Sequence, residues 1–430
     1  MTNLEHLQAM NPSNPDLGVT SCRFCGASLT HTFVDLGMSP LCESYLTAAQ
    51  LNRMEPFYPL HVLVCESCLL VQLGEYVSPA EIFSEYAYFS SYSESWVRHA
   101  EQYAEAMIER FGLGPNQKVM EIASNDGYLL QHFVRRHIPA LGIEPAANVA
   151  EVARGKGIPT LVRFFGERAA EEVASEHGRA DLLVGNNVLA HVPALNDFVA
   201  GMKKLLRVGG VITIEFPHLL RLMEGNQFDT IYHEHFSYLS FLTVCKVFEA
   251  HGLRIFDVEE LKSHGGSLRI YACHADDRTK EVHPSVAGLR DTEIAQGFHK
   301  LETYLSFGPK VHETKRTLLA FLIEAKREGM SIVAYGAPGK GNTLLNYCGI
   351  RQDFIEYAVD RNEYKHGRFT PGTHIPIYPP DRIAQTKPDY ILILPWNLRR
   401  EIAKQLRYVR EWGAKLVVPI PEVQVFDPET

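Results

Sequence analysis

Short apolar runs alternate with amphipathic stretches along most of the chain. Lys118-Val-Met-Glu-Ile122, Leu141-Gly-Ile-Glu144, Ala180-Asp-Leu-Leu-Val-Gly-Asn186-Asn187 and Gly209-Gly-Val-Ile-Thr-Ile-Glu215 read as strands. Trp96 to Arg110, Leu129 to Arg136 and Leu195 to Leu206 carry helical spacing, and Gly112-Leu-Gly-Pro115 closes the first of them. Strands that alternate with helices predict a parallel, doubly wound α/β sheet. The rhythm recurs after a run of helical stretches: Ser331-Ile-Val-Ala-Tyr335, Ile355-Glu-Tyr-Ala-Val-Asp360, Tyr390-Ile-Leu-Ile-Leu394 and Lys415-Leu-Val-Val-Pro419 read as strands of a second α/β unit. Before both, Tyr58, Leu60, Val62 and Val64 alternate as in a strand with one buried face. The expected division is therefore a small module over 12–80, an α/β domain over 81–285 and a second α/β domain over 286–430, with a cleft between the last two.

A chain of 430 residues exceeds one hydrophobic core, and its 46% hydrophobic and 22% charged composition is that of a folded globular protein. The net charge of −9 argues against a general nucleic-acid binder, which needs a basic face. The polar start, Met1 to Gly18, lacks a signal-peptide apolar run, and no stretch has the ~18–20 apolar residues of a membrane span. A cytoplasmic monomer with no membrane partner is the expectation.

Cysteine spacing changes the picture of the first module. Cys22-Arg-Phe-Cys25 and Cys65-Glu-Ser-Cys68 are two tight knuckles 39 residues apart, a four-sulfur set suited to zinc with no open coordination position, hence structural. Disulfides and buried free thiols are the alternatives, and reducing conditions disfavour the first. Cys42 is expected to be buried and not a ligand.

In an open α/β sheet a ligand binds beyond the carboxyl ends of the strands. There the first strand of the middle domain empties into Ala123-Ser124-Asn125-Asp126-Gly127, the second ends in Glu144, placed for the hydroxyls of a ribose, and a later one ends in Asn186 and Asn187. A dinucleotide site wants G-x-G-x-x-G with amides facing a pyrophosphate. This loop has one glycine and an acid that would repel phosphate, so it suits S-adenosylmethionine (SAM), a sulfonium cation, better than NAD.

Ile231-Tyr232-His233-Glu234-His235-Phe236-Ser237-Tyr238 sets several proton-active groups among apolar neighbours, costly to bury without a task or full pairing. Tyr86-Ala-Tyr88-Phe-Ser90-Ser91-Tyr92 adds hydroxyls, and His191 follows the strand ending at Asn187. The His-x-Glu-x-His spacing does not place ligands as a helical His-Glu-x-x-His does, which argues against a catalytic metal.

Taken together, the paired Cys-x-x-Cys knuckles, Tyr-x-Tyr-x-Ser-Ser, Glu-Ile-x-Ser-Asn-Asp-Gly, Asn-Asn-Val-Leu-Ala-His, Tyr-His-Glu-His-Phe-Ser-Tyr and Gly-x-Pro-Gly-Lys-Gly-Asn-Thr resemble, over nearly the whole chain, the SAM-dependent sugar C-methyltransferases. The resemblance implies a zinc module, a Rossmann-like class I SAM methyltransferase domain and a C-terminal Rossmann-like α/β domain that helps hold a sugar nucleotide. It implies methylation of carbon 3 beside the ketone of a nucleotide-linked 4-keto-deoxysugar, dTDP or GDP being the carrier, in deoxysugar biosynthesis. His235 is then the base, with Glu234, Tyr232 and His191 orienting the sugar or stabilising the enolate. Tyr88 is favoured as the active-site tyrosine over Tyr86, which is assigned to substrate binding. Ala123 departs from the glycine usual in the family.

The Gly336–Thr343 loop is not a P-loop, but a strand–loop–helix junction with glycines and a lysine can hold a diphosphate. Lys340, Asn342, Asp360 and Lys365 are the expected substrate contacts; a purely structural turn is the alternative. An N- or O-methyltransferase shares the cofactor signature. An NAD-dependent sugar oxidoreductase or epimerase would need a Tyr-x-x-x-Lys pair that the candidate site lacks, and a zinc-and-Rossmann scaffold leaves the Tyr232–His235 cluster unexplained.

Overall fold

The computed structural model describes residues 21–83, 89–92 and 94–428. Three sheets organise them. Strands β1 (His31–Ser39), β2 (Tyr58–Val64) and β3 (Val71–Leu73) form an antiparallel N-terminal sheet. In β2 the buried positions are Leu60, Val62 and Val64, the alternation visible in the sequence, and Cys65 follows directly on the strand.

The middle sheet comprises β4 (Val119–Ile122), β5 (Ala140–Glu144), β6 (Thr160–Val162), β7 (Ala180–Asn186) and β8 (Leu206–Pro217). Strand β9 (Ser237–Tyr238) leaves it: Tyr238 pairs with Val71 and Ser237 with Gln72, so the segment after the Tyr-His-Glu-His run becomes the fourth strand of the N-terminal sheet. The chain then returns as β10 (Leu253–Leu261) and β11 (Ser267–His274). The order across this sheet is β10-β11-β8-β7-β4-β5-β6, with β11 antiparallel to both neighbours and β4 to β8 parallel. The order reverses beside β4, between β5 and β7, the switch point at which open α/β sheets bind ligands. Helix Glu94–Phe111 turns Ala100, Tyr103, Ala104 and Met107 inward, an i, i+3, i+4, i+7 stripe packed on this sheet.

The C-terminal sheet holds β12 (Ile332–Tyr335), β13 (Ala358–Val359), β14 (Ile377–Tyr378), β15 (Tyr390–Ile393), β16 (Lys415–Val418) and β17 (Gln424–Phe426), ordered β14-β13-β12-β15-β16-β17 and parallel except for β17. One apolar core runs from Phe33, Val62 and Leu73 through Leu219, Phe228 and Ile231 to Leu318, Ile332 and Leu344, joining the N-terminal sheet, the loop before His235 and the C-terminal unit. Helix Pro284–Ala295 straddles the expected 285/286 division and packs Val286 and Leu289 into the middle core. Its buried Glu293 accepts from His218 Nε2 at 2.7 Å and from the amides of Phe241 and Leu242. Two elements differ in length from their sequence signals. The helix after Gly127 is confined to Leu130–Val134, and β8 begins at Leu206 and ends at Pro217. Among the described residues no helix is long and apolar enough to cross a membrane.

Candidate functional site

Both knuckles close on one centre. Cys22 Sγ lies 3.5 Å from Cys68 Sγ, Cys25 Sγ lies 3.5 Å from Cys65 Sγ, and all four sulfurs fall within 4.8 Å of one another. A tetrahedral zinc with ~2.3 Å bonds sets its sulfurs about 3.8 Å apart, so this set fits the ion. Gln72 donates its Nε2 to Cys22 Sγ at 3.2 Å, the outer hydrogen bond a thiolate ligand calls for. Cys42 is buried elsewhere, as expected.

At the carboxyl edge of β4 the backbone turns through Ala123 (φ 56°), Asn125 (φ 49°) and Gly127 (φ 76°). A side chain at Gly127 would be strained in this conformation, and its Cβ would stand 2.3 Å from Ile158 Cδ1, which would have to move. Ala123 pays for the same left-handed conformation with its methyl group, where glycine would be unstrained. The loop is tied to the neighbouring strand, because Glu144 accepts the amide of Asn125 on one oxygen and that of Ala146 on the other, both at 2.9 Å. Asn125 Oδ1 accepts from the Ser90 amide, and Asp126 Oδ2 pairs with Lys156 Nζ at 3.1 Å. Several buried polar atoms here have no partner among the described residues: Ser124 Oγ, Asp126 Oδ1, both side-chain atoms of Asn186 and Asn187 Oδ1. Buried polar atoms without partners are rare, and their gathering at the carboxyl ends of the adjacent strands β4 and β7 fits a seat for a polar ligand.

Glu121 belongs to the same seat although it was not among the expected site residues. Its side chain is buried within β4 with Oε2 unpartnered, and burial, then the charges of Glu144 and Asp126, raise its pKa well above the ordinary carboxylate value. Glu144 is raised too, by burial, against the pull of its two amides. Carboxyl groups gathered at this strand edge disfavour a pyrophosphate, as the loop composition implied. An acid inside the apolar run Val119–Ile122 was the available signal for Glu121.

The imidazoles of His191 and His235 meet edge to face, ring centroids 4.6 Å apart, and the Tyr232 ring lies 4.1 Å from that of His235. His235 Nδ1 is 2.8 Å from the Thr230 carbonyl oxygen, which can only accept, so this nitrogen carries the proton and Nε2 the lone pair of the neutral ring. His191 ends a short 3-10 turn (Leu189–His191) after β7, and the Phe236 amide donates to the Ala190 carbonyl at 2.8 Å, which ties the two histidine segments together. Glu234 is buried, its Oε1 4.0 Å from Cys42 Sγ. His233 faces the N-terminal sheet: Nε2 meets the Pro59 carbonyl at 3.2 Å, and burial lowers its pKa. Tyr86 and Tyr88 lie outside the described residues.

The Gly336–Thr343 loop abuts this cluster. Thr343 Oγ1 donates to the Ile231 carbonyl at 3.1 Å, and Asn342 Nδ2 donates to the Cys42 carbonyl at 2.6 Å. Asp360 accepts the Ala337 amide and Lys365 donates to the Ala337 carbonyl, each at 2.8 Å, with Lys365 and Asp360 3.9 Å apart. Lys340 lies over the Trp396 ring, donates to Asn397 Oδ1 at 2.7 Å and feels the charge of Asp229, whose pKa burial raises to about 6. Segment 42–45 of the first module wedges between: Tyr45 OH donates to the Ala337 carbonyl at 2.5 Å, and a Cβ on Gly339 would stand 2.9 Å from Cys42 Sγ.

A seven-stranded sheet with one reversed strand, a cation-seeking carboxyl edge and a four-thiolate module define a class I SAM-dependent methyltransferase carrying a structural zinc. Comparison with known proteins gives the family. A zinc binding domain model matches residues 22–83, a methyltransferase domain model 96–258 and a C-methyltransferase C-terminal domain model 262–421. The chain is 35% identical over 412 residues to C-methyltransferase NovU of Streptomyces niveus, which covers 96% of this chain and 98% of that protein. It belongs to the SAM-dependent C-methyltransferase family. Solved structures with partial likeness include a SAM-dependent methyltransferase from Clostridium acetobutylicum (10% identical, TM-score 0.34, 41% of this chain and 91% of that one). Magnesium protoporphyrin IX methyltransferase from Synechocystis is another (13%, TM-score 0.33, 41% and 84%).

Proposed function

We propose that the enzyme methylates a carbon, C3 by the family resemblance, beside the ketone of a nucleotide-linked 4-keto-deoxysugar, with His235 as the base. The observation that carries the reading is the tether of His235 Nδ1 to the Thr230 carbonyl. It aims a lone-pair nitrogen while Tyr232 and His191 pack against the ring. A carbon acid beside a ketone needs such a base together with a donor for the enolate oxygen.

Ser124, Asn125, Asp126, Gly127, Glu144, Asn186 and Asn187 are the residues assigned to SAM, and Glu121 joins them. When bound, SAM would supply an electrophilic methyl group on sulfonium sulfur to the sugar carbanion, the sulfur leaving as a neutral thioether. His235 Nε2 takes the proton from the sugar carbon and becomes imidazolium, its charge spread toward the Thr230 carbonyl through Nδ1–H. His191 or Tyr232 donates to the developing enolate oxygen, and Glu234 orients the sugar hydroxyls. Tyr88 or Tyr86 completes the enclosure. Lys340, Asn342, Asp360 and Lys365 are assigned to the nucleotide diphosphate, thymidine or guanosine being the carrier. The loop's contact with Ile231 and Cys42 supports the last assignment, because it sets that loop against the segment bearing His235.

The deciding experiment incubates the enzyme with methyl-labelled SAM and a panel of dTDP- and GDP-4-keto-deoxysugars, with mass spectrometry and NMR of the product. A new carbon–carbon bond at C3 is expected. Label on oxygen or nitrogen, or no transfer to any keto-sugar, refutes the reading.

A further inference from the structure

Arg23 lies inside the first zinc knuckle, between ligands Cys22 and Cys25, yet its side chain works on the catalytic cluster. Nη1 donates to the Pro193 carbonyl at 3.3 Å, two residues after His191, and Nη2 donates to the Leu73 carbonyl. The Leu73 amide in turn donates to the Phe236 carbonyl at 3.0 Å, next to His235. The guanidinium carbon stands 5.7 Å from the centre of the Phe236 ring. Gln72 accepts from the Arg23 amide at 2.9 Å and from its Nε at 3.4 Å while donating to Cys22 Sγ; in β3 it pairs with Ser237 of β9. From the other side, Asn196 Nδ2 donates to the Arg23 and Phe24 carbonyls at 3.3 and 2.9 Å, tying the knuckle's backbone to the stretch that follows His191.

We infer that Arg23 is a positioning residue that clamps the His191 and His235 segments against each other, so that the zinc knuckle sets the geometry of the catalytic histidines as well as folding its own module. The inference rests on the assignment of His235 and His191 to the active site. Its physical basis is the forked guanidinium, which satisfies two carbonyls on different segments at once, together with a metal that fixes the residue's own backbone. The Phe236 amide already joins the two segments through the Ala190 carbonyl, and β9 holds the His235 side through Tyr238 and Ser237; Arg23 and Asn196 add side-chain bonds on the Pro193 side. Methionine keeps the unbranched apolar stem and loses all three guanidinium donors.

The test uses full-length zinc-loaded enzyme with isotope-labelled histidine, the ring signals of residues 191 and 235 being assigned with His191→Asn and His235→Asn. In Arg23→Met, zinc stays at one per chain by elemental analysis and SAM binds within about twofold of wild type. The kcat falls about tenfold or more with KM nearly unchanged, since a misplacement of about 1 Å at a base can cost up to about a hundredfold. The ring signals of both histidines shift or broaden, and Arg23→Lys recovers part of kcat. Wild-type kcat with unmoved ring signals in zinc-loaded Arg23→Met overturns the inference. If that variant does not fold or loses zinc, Asn196→Ala decides: a shifted His191 signal with a reduced kcat supports the clamp, and an unmoved signal overturns it. Ring signals are read without turnover, so an active His235→Asn would sink the base assignment while leaving the clamp to be judged on the spectra alone.

Discussion

His235 Nδ1 sits 2.8 Å from the Thr230 carbonyl, five residues back along the same loop, and that bond fixes which nitrogen of the ring is basic. Replacing His235 with asparagine keeps a side-chain donor near Thr230 and removes the basic nitrogen. Methyl transfer is expected to fall by about 10²–10⁴-fold, with SAM affinity within a few-fold by calorimetry. Exchange of the sugar's C3 proton with deuterated solvent, followed by NMR without SAM, falls in parallel if this ring is the base.

Glu144 holds the SAM loop through the amides of Asn125 and Ala146. Glu144→Ala leaves both buried amides without an acceptor and removes the acid assigned to the ribose. A loss of about 1.5–3 kcal/mol per charged hydrogen bond predicts a rise of at least tenfold in the Kd for SAM. An unchanged Kd would remove this residue from the site.

Burial and the charges of Glu144 and Asp126 hold Glu121 protonated well above the ordinary carboxylate range. The sign follows: the folded chain binds this proton more tightly than the unfolded one, so Glu121 lowers apo stability as pH rises past the unfolded value. A bound cation favours the ionised carboxylate, so SAM binding releases a proton and tightens with pH. Calorimetry in buffers of different ionisation heat measures that release, and Glu121→Gln is expected to abolish it.

Cys65→Ser removes one of four thiolates from a site whose sulfurs all lie within 4.8 Å. Zinc content falls by elemental analysis and the thermal midpoint drops, because metal binding in such modules contributes directly to folding. A metal-free wild-type protein of unaltered stability would contradict the zinc.

Ala123 adopts φ 56°, a left-handed conformation that glycine takes without strain. Ala123→Gly relieves a left-handed strain of roughly 1–2 kcal/mol against a smaller entropic loss in the unfolded chain. A modest gain of about 0.5–1 kcal/mol in urea denaturation is expected.

Residue type and spacing alone announced the four zinc ligands, the α/β rhythm and the glycine-poor acidic loop, because these are local patterns with few physical solutions. Two Cys-x-x-Cys knuckles leave little choice but a shared centre, and Gly127 declares a left-handed turn that glycine makes without strain. What the sequence did not disclose depends on contacts between distant segments. Ser237 and Tyr238 look like one more pair of site residues, yet they are the fourth strand of the zinc sheet, paired with Gln72 and Val71. His233 and His235 are two residues apart and indistinguishable by type; one is packed on Pro59 and the other against His191. Arg23 reads as knuckle filler until the fold brings Pro193 and Leu73 to its guanidinium. Local propensity fixed the elements and the metal set, whereas the neighbours of individual histidines and of Arg23 were decided by which buried carbonyls and rings the tertiary packing placed beside them.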